Sequence, residues 1–210
     1  MSRQRRFLGW SWLAFVGVVF LSAAAYAQPV PAIPSLSSTQ FQQLNDGEIL
    51  VDVVVGEVPI GDAIGVIEAT PEEVMEVLRN FDDHEQVMSD MVLAEILGYE
   101  GDVALCHGIT DTPWPMEDRE WVIRASDEQT QIDGMDVILS TFEYVEGSGN
   151  LEDINGYWLF IPWGSDGSQT LARYHLEVDL GTWLPDFLLE WSTENFLPIK
   201  IQGLRDYLEL

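Results

Sequence analysis

The stretch that decides the fold runs from Thr112 to Arg124 and reads TPWPMEDREWVIR. Pro113 and Pro115 fix their own φ angles and hold the residues before them in extended conformations, so the chain is not helical here. The side chains then alternate, which places Arg119 and Trp121 on the same face of a strand. The stretch contains no nucleophile beside a base, no metal-ligand spacing and no phosphate-binding loop. It therefore predicts an architecture and not a reaction.

The rest of the sequence predicts a run of strands. A helix is expected before the first strand, another after the second strand and a third at the C-terminus. Thr70 is a helix N-cap, with Pro71 in the first turn and Glu73 at the capping-box position. A second start signal at 183–186 opens a long C-terminal helix, which Pro198 should kink or split. The order of elements indicates an α+β protein. A short helix is expected over 41–50, and strands over 49–55, 60–69, 92–99, 103–110, 120–125, 137–145, 156–162 and 170–180.

The N-terminus has the pattern of a secretory signal peptide. Three arginines precede an apolar run over 7–21, and Ala25-Tyr26-Ala27 follows as an A-x-A cleavage site. We expect residues 1–27 to be removed by cleavage after Ala27, which implies a periplasmic or secreted protein. An uncleaved membrane anchor is the alternative, because the run is nearly long enough to span a bilayer. Residues 28–40, rich in proline and serine, predict a linker or surface arm, and residues 41–210 a single domain.

The chain is strongly acidic, with 36 acidic and 9 basic residues and a net charge of −27. Such a surface repels nucleic acid, which excludes a nucleic-acid partner. The acids serve either as a docking surface for a basic partner or as a solubility device, and their scattered placement favours the second interpretation. Cys106 is the only cysteine, so no internal disulfide forms and the fold depends on its core. We expect a monomer.

Two segments resemble START domains, the lipid-transfer group of the helix-grip (SRPBCC) superfamily. WPMEDREWV at 114–122 is similar to the P-x-x-x-R-D-F-V start of a strand in that family. VDLGTWLP at 178–185 is similar to its (I/V)-D-x-G-G-x-(I/L)-P junction before the C-terminal helix. The helix start at 70–74 stands in the family order, and the resemblance covers 45–210.

This resemblance implies a helix-grip fold, with a curved antiparallel sheet wrapped around a long C-terminal helix and an internal apolar cavity. Family members often carry an arginine in the strand that here reads GYWLF at 156–160, and a buried acid–base pair in the cavity. Here that strand is apolar and no acid is assigned to Arg119. We interpret Arg119 as a clamp on the turn at 117–118, with ligand contact as the alternative. The resemblance implies six wall residues, for each of which plain core packing is the alternative: Trp121, Leu159, Tyr174, Leu176, Leu188 and Trp191.

The expected function is that of an exported START-like protein that binds, and transfers, a lipid, a sterol-like molecule or another hydrophobic small molecule. We expect transient membrane contact, no cofactor, no metal and no catalytic residue. The run at 82–85 (DDHE) contains metal-ligand types but is more typical of a solvated corner. The alternatives are a helix-grip enzyme of the polyketide cyclase or aromatase type, which needs a polar titratable pocket, and a periplasmic acidic interaction module.

Overall fold

The structure is a computed structural model that describes residues 31–56, 58–112, 116–181 and 186–209, and within 186–194 it describes the backbone alone. The expected signal peptide at 1–27 and the prolines that flank Trp114 lie outside the described residues. No helix in the described ranges is long and apolar enough to cross a membrane.

The described residues form one antiparallel eight-stranded sheet and helices that pack on it, which is the α+β class predicted from the sequence. The strand order is β1-β2-β8-β7-β6-β5-β4-β3, so a hairpin and a six-stranded meander meet where β2 pairs with β8. A 3₁₀ turn at Phe81–Asp83 joins the second and third helices. In chain order the elements are α1 (Ser38–Asn45), β1 (Leu50–Val54), β2 (Ile60–Ile67), α2 (Pro71–Arg79), α3 (His84–Val87), β3 (Met91–Glu100), β4 (Val103–Thr110), β5 (Arg119–Ile132), β6 (Met135–Tyr144), β7 (Asp153–Trp163), β8 (Gln169–Asp179) and α4 (Asp186–Leu208).

Helix α2 begins as its sequence predicts. The Glu73 carboxylate accepts a hydrogen bond from the Thr70 backbone N–H at 2.9 Å, and the Thr70 hydroxyl accepts one from the Glu73 N–H at 3.4 Å. These bonds satisfy amide groups that a helix start leaves without partners. Val74 and Met75 on the same helix are buried and point into the core.

The two faces of the sheet carry separate apolar clusters. The inner face packs against α2, α3 and α4, with Phe160 and Ala172 fully buried. The outer face packs against α1 through Leu44, which is 1 % exposed. Ile33 and Leu36, from the segment before α1, lie over the same outer cluster. Residues of the expected linker therefore cover the outer face, and α1 begins within its range.

Helix α4 closes the inner face. Of the kink or split expected at Pro198, the split does not occur, because the helix is continuous through this residue. Ile201 and Leu204 are fully buried. Arg205 donates from Nε to the Val66 carbonyl at 2.8 Å and from Nη1 to the Gly47 carbonyl at 2.9 Å, which ties the helix to β2 and to the turn after α1.

Candidate ligand-binding cavity

A cavity lies between the inner face of the sheet and helices α2, α3 and α4. It has two adjoining parts, of about 420 Å³ and about 170 Å³. Trp121, Ile154, Tyr174 and Lys200 line both parts and so mark the boundary between them. Apolar and aromatic side chains make up most of the lining, as in sites that bury small hydrophobic molecules.

Stacked aromatic rings from three neighbouring strands form one wall of the larger part. The ring centroids of Trp158 and Tyr174 are 4.4 Å apart and those of Phe142 and Tyr174 are 6.2 Å apart, and both pairs are stacked. Trp158 on β7 pairs directly with Tyr174 on β8, so the two side chains share a face of the sheet. This pairing builds a rigid, apolar wall from residues far apart in the sequence.

Trp121 forms the boundary between the two parts because a glycine makes room for its ring. It pairs across strands with Gly108, and a methyl group at that glycine would lie 2.5 Å from the indole. The indole Nε1–H donates to the Thr110 hydroxyl at 3.1 Å. The Phe81 ring packs edge to face against the indole, with the ring centroids 6.1 Å apart. The tryptophan expected at the cavity wall is therefore held there by packing and by one hydrogen bond.

The structure brings together three of the six residues expected at the wall. Trp121 and Tyr174 line both parts of the cavity, and Leu176 lines the smaller part. Leu188 and Trp191 lie on α4, but their side chains are outside the described residues.

Leu159 does not lie at the wall, contrary to its expected position. It is fully buried in the cluster on the outer face of the sheet, beneath α1. Its neighbour Trp158, on the same strand, lines the larger part of the cavity instead. The segment at 156–162 is apolar at almost every position, so its pattern does not show which face is which. The pairing with β8 decides which side chains of β7 face the cavity, since Leu159 lies opposite Arg173 and Trp158 lies opposite Tyr174.

A buried ion pair supplies polar groups at the boundary between the two parts. The Lys200 ammonium donates to the Asp90 carboxylate at 2.6 Å, and the Asp90 side chain is 5 % exposed. Lys200 comes from α4, whereas Asp90 lies in the turn before β3. The sequence does not reveal this acid–base pair, because 110 residues separate the two partners.

Arg119 does not clamp the turn at 117–118, contrary to the interpretation from the sequence. Its Nη1 donates to the Asn150 carbonyl at 3.4 Å, and its Nε is buried without a hydrogen-bond partner among the described residues. The turn is held by the Thr112 hydroxyl, which donates to the Glu117 carbonyl at 2.6 Å, and by the Asn150 amide, which donates to the Asp118 carbonyl at 2.8 Å. Arg119 instead lines the smaller part of the cavity.

Three titratable side chains of the cavity lining, those of His84, Cys106 and Tyr174, are uncharged near neutral pH. Burial, assisted by the nearby charge of Lys200, lowers the pKa of His84 to about 4. Because the partner of its Nε2 is the Leu78 carbonyl at 3.0 Å, the neutral ring carries its proton on Nε2. Burial raises the pKa of the Cys106 thiol to about 11 and also raises that of the Tyr174 phenol.

The acidic run at 82–85 is tied to the sheet edge. Asp82 accepts a hydrogen bond from the Ile96 N–H at 2.9 Å, and Glu85 accepts one from the Ala94 N–H at 3.1 Å. Asp82 and Glu85 are exposed, as expected for a solvated corner, whereas His84 between them is buried. Across the part of the chain that the structure describes, no three histidine, cysteine or acidic side chains are placed to hold a metal ion.

The curved sheet, the long C-terminal helix and the cavity between them define the helix-grip fold of START domains. The chain resembles the crystal structure of a STAR-related lipid transfer protein from Xanthomonas axonopodis, with a TM-score of 0.66 and 21% identity over 77% of this chain and 94% of that chain. It also resembles the lipid transfer and protein localization domain of human StarD13, with a TM-score of 0.61 and 13% identity over 75% of this chain and 83% of that chain.

An enzyme has the same fold. The Zhui aromatase/cyclase from Streptomyces sp. R1128 is similar with a TM-score of 0.56 and 15% identity, over 76% of this chain and 94% of that chain. No family model and no curated protein sequence matches the chain. At these levels of sequence identity the similarity establishes a shared fold. The function is therefore inferred from the residues that line the cavity.

Proposed function

We propose that the protein binds one lipid or other hydrophobic small molecule in the cavity between the sheet and α4. The cavity itself is the observation that carries the proposal. Its larger part, of about 420 Å³, is within the range typical of small-molecule sites and is lined mainly by apolar and aromatic side chains. Two of the solved structures with this fold are described as lipid transfer proteins, which supports the same class of ligand.

Burial of apolar surface is the driving force in this proposal. Removing a methylene group from water contributes about 0.8 kcal/mol, which is about fourfold in affinity. Affinity for a series of straight-chain alcohols is therefore expected to rise by about that factor for each added methylene until the cavity is full.

We propose binding and not catalysis. A polyketide cyclase or aromatase needs groups that exchange protons near neutral pH. His84 and Cys106, both in the wall of the larger part, have pKa values of about 4 and about 11. Neither group changes its charge near pH 7, which argues for a ligand-binding cavity and against a catalytic site.

Export, a periplasmic or secreted location and ligand transfer belong to the same proposal. The signal-peptide pattern at 1–27 supports export and the location, and the fold supports transfer. Intact-mass measurement of the exported protein tests the cleavage, because a mass that still includes residues 1–27 contradicts it.

Native mass spectrometry with solvent extraction tests the binding. We expect the purified protein to carry one hydrophobic molecule, or to take up one alcohol of the series per chain. Ala125 lines the larger part, so Ala125→Trp should fill it and abolish uptake. Leu97 is 56% exposed and lies outside the lining, so Leu97→Trp is the matched control and should bind normally. A folded protein that carries no molecule and takes up none contradicts the proposal.

A further inference from the structure

We infer that the smaller part of the cavity recognises a carboxylate, so that the bound molecule is an amphiphile with one carboxylate head and an apolar tail. This inference rests on the proposed function, because it describes the polar end of the same ligand. The observations that carry it are the position, the free donor and the uncompensated charge of Arg119.

Arg119 lines the smaller part of the cavity, and its guanidinium has a donor without a partner among the described residues. Its Nη1 makes a long hydrogen bond of 3.4 Å to the Asn150 carbonyl, whereas Nε is buried and has no partner among the described residues. A buried donor without a partner is costly, and native proteins seldom leave one in that state. A ligand oxygen in the cavity would satisfy it.

The geometry of the free edge suits a carboxylate. Nε and Nη2 share one edge of the planar guanidinium, and the hydrogen bond to Asn150 uses Nη1 on another. An arginine edge of this kind donates two parallel hydrogen bonds to the two oxygens of a carboxylate. A hydroxyl group satisfies only one of these donors at a time.

The local charge selects a monoanion. Asp90, Arg119 and Lys200 are the charged residues in the described lining of the smaller part. Because Asp90 and Lys200 neutralise each other as an ion pair, Arg119 leaves one net positive charge. The chain as a whole carries −27, so this part of the cavity has the opposite sign to the molecule around it. One carboxylate balances the charge, whereas a phosphate monoester carries nearly two negative charges at pH 7.

The two parts of the cavity then hold the two ends of the ligand. Arg119 lines only the smaller part, and Trp121 and Tyr174 border both. The carboxylate lies in the smaller part, and the tail passes the boundary into the larger part beside the stacked rings. The ligand is therefore of the fatty-acid class.

Isothermal titration with two probes that share one alkyl chain tests this inference. Dodecanoate carries the carboxylate, and dodecanol is its neutral counterpart. At pH 7 we expect dodecanoate to bind the intact protein at least about tenfold more tightly than dodecanol, which corresponds to one charge-assisted pair of hydrogen bonds. Arg119→Gln should remove that preference, because the affinity for dodecanoate falls at least about tenfold more than the affinity for dodecanol.

Arg124→Gln is the matched control. Arg124 lies on the same strand and pairs with Glu100 at 3.3 Å outside the cavity lining, so the substitution changes the net charge equally. It should leave the affinity for both probes unchanged. If Arg119→Gln does not fold, as judged by circular dichroism, the preference of the unmodified protein for dodecanoate decides the question alone.

The outcomes separate this inference from the proposed function. Equal binding of both probes by the unmodified protein overturns the carboxylate site and leaves hydrophobic binding intact. An equal loss of both affinities in Arg119→Gln also overturns it, because the residue then acts only in packing. If neither probe binds and no molecule is extracted from the protein, both proposals fall.

Discussion

The buried ion pair between Asp90 and Lys200 is costly to maintain. The Asp90 side chain is 5 % exposed and that of Lys200 is 15 % exposed, so both charges lose most of their hydration. A pair of well-packed apolar residues is often as stable or more stable at such a position. Lys200 lines both parts of the cavity and Asp90 lines the smaller part, so the pair lies beside the position proposed for the ligand.

His84 makes the folded protein sensitive to acid. Burial lowers its pKa in the folded state to about 4, below the value of 6.5 expected for the unfolded chain. Between these values the unfolded state binds more protons, so the stability that depends on neutral His84 is complete above pH 6.5 and is lost as the pH falls toward 4. From pH 7 to pH 5 this group should lower the free energy of unfolding by about 2 kcal/mol.

Urea denaturation of His84→Gln at both pH values measures this effect, because the variant lacks the titrating group. Its loss of stability between pH 7 and pH 5 should be smaller than that of the unmodified protein by about 2 kcal/mol. His107→Gln is a control of opposite sign, since a hydrogen bond to Glu95 raises the pKa of His107 and stabilises the fold at low pH. Equal pH dependence in all three proteins would show that His84 does not titrate as described.

At the scale of elements, α4 approaches α3 closely. A methyl group on Gly203 would lie 2.0 Å from the Val87 carbonyl oxygen. Toward the sheet, Gly65 of β2 leaves space for the Ile201 side chain of α4. A methyl group at Gly65 would lie 2.9 Å from that side chain. At position 203 the helix therefore lies so close to the backbone of α3 that only glycine fits without a shift.

Gly203→Ala should destabilise the protein by about 1–3 kcal/mol, because the added methyl group pushes α4 away from α3. Alanine is favoured over glycine in a free helix by about 1 kcal/mol, so the steric effect opposes propensity. Gln202→Ala, at the exposed neighbouring position, is the control and should change the free energy of unfolding by less than about 0.5 kcal/mol. If urea denaturation finds Gly203→Ala more stable than the unmodified protein, the contact does not limit the position of α4.

Local sequence patterns predicted some features of the helices and strands correctly and others incorrectly. Thr70 and Glu73 satisfy each other's backbone locally, so α2 began where the pattern predicted. In β8, the alternation that placed Tyr174 and Leu176 on one face was correct, because the strand has one polar face. In β7, both faces are buried, and the assignment of Leu159 to the wall was wrong.

At the scale of the whole molecule, the net charge of −27 opposes folding through self-repulsion. The described ion pairs involve few of the 36 acidic residues, so most of the negative charge has no direct counter-charge. This is consistent with the interpretation of the surface as a solubility device, and a basic partner remains the alternative.

Added sodium chloride should therefore stabilise the protein. Between 0.01 M and 1 M salt the Debye length falls from about 30 Å to about 3 Å, which screens the repulsion between surface carboxylates. We expect the urea midpoint to rise across this range, with little change in the slope of the free energy against urea. An unchanged midpoint would mean that the acids do not repel each other measurably in the folded state.

The sequence by itself determined the α+β class, the start of α2, the strand order along the chain and the resemblance to START domains. These features depend on local physical chemistry: helix caps, alternation along a strand and the restricted angles of proline. Tertiary structure alone decided which face of β7 meets the cavity, that Asp90 pairs with Lys200, and that Arg119 keeps a buried donor free. Each of these depends on strand register or on contacts between residues far apart in the chain, which local patterns do not encode.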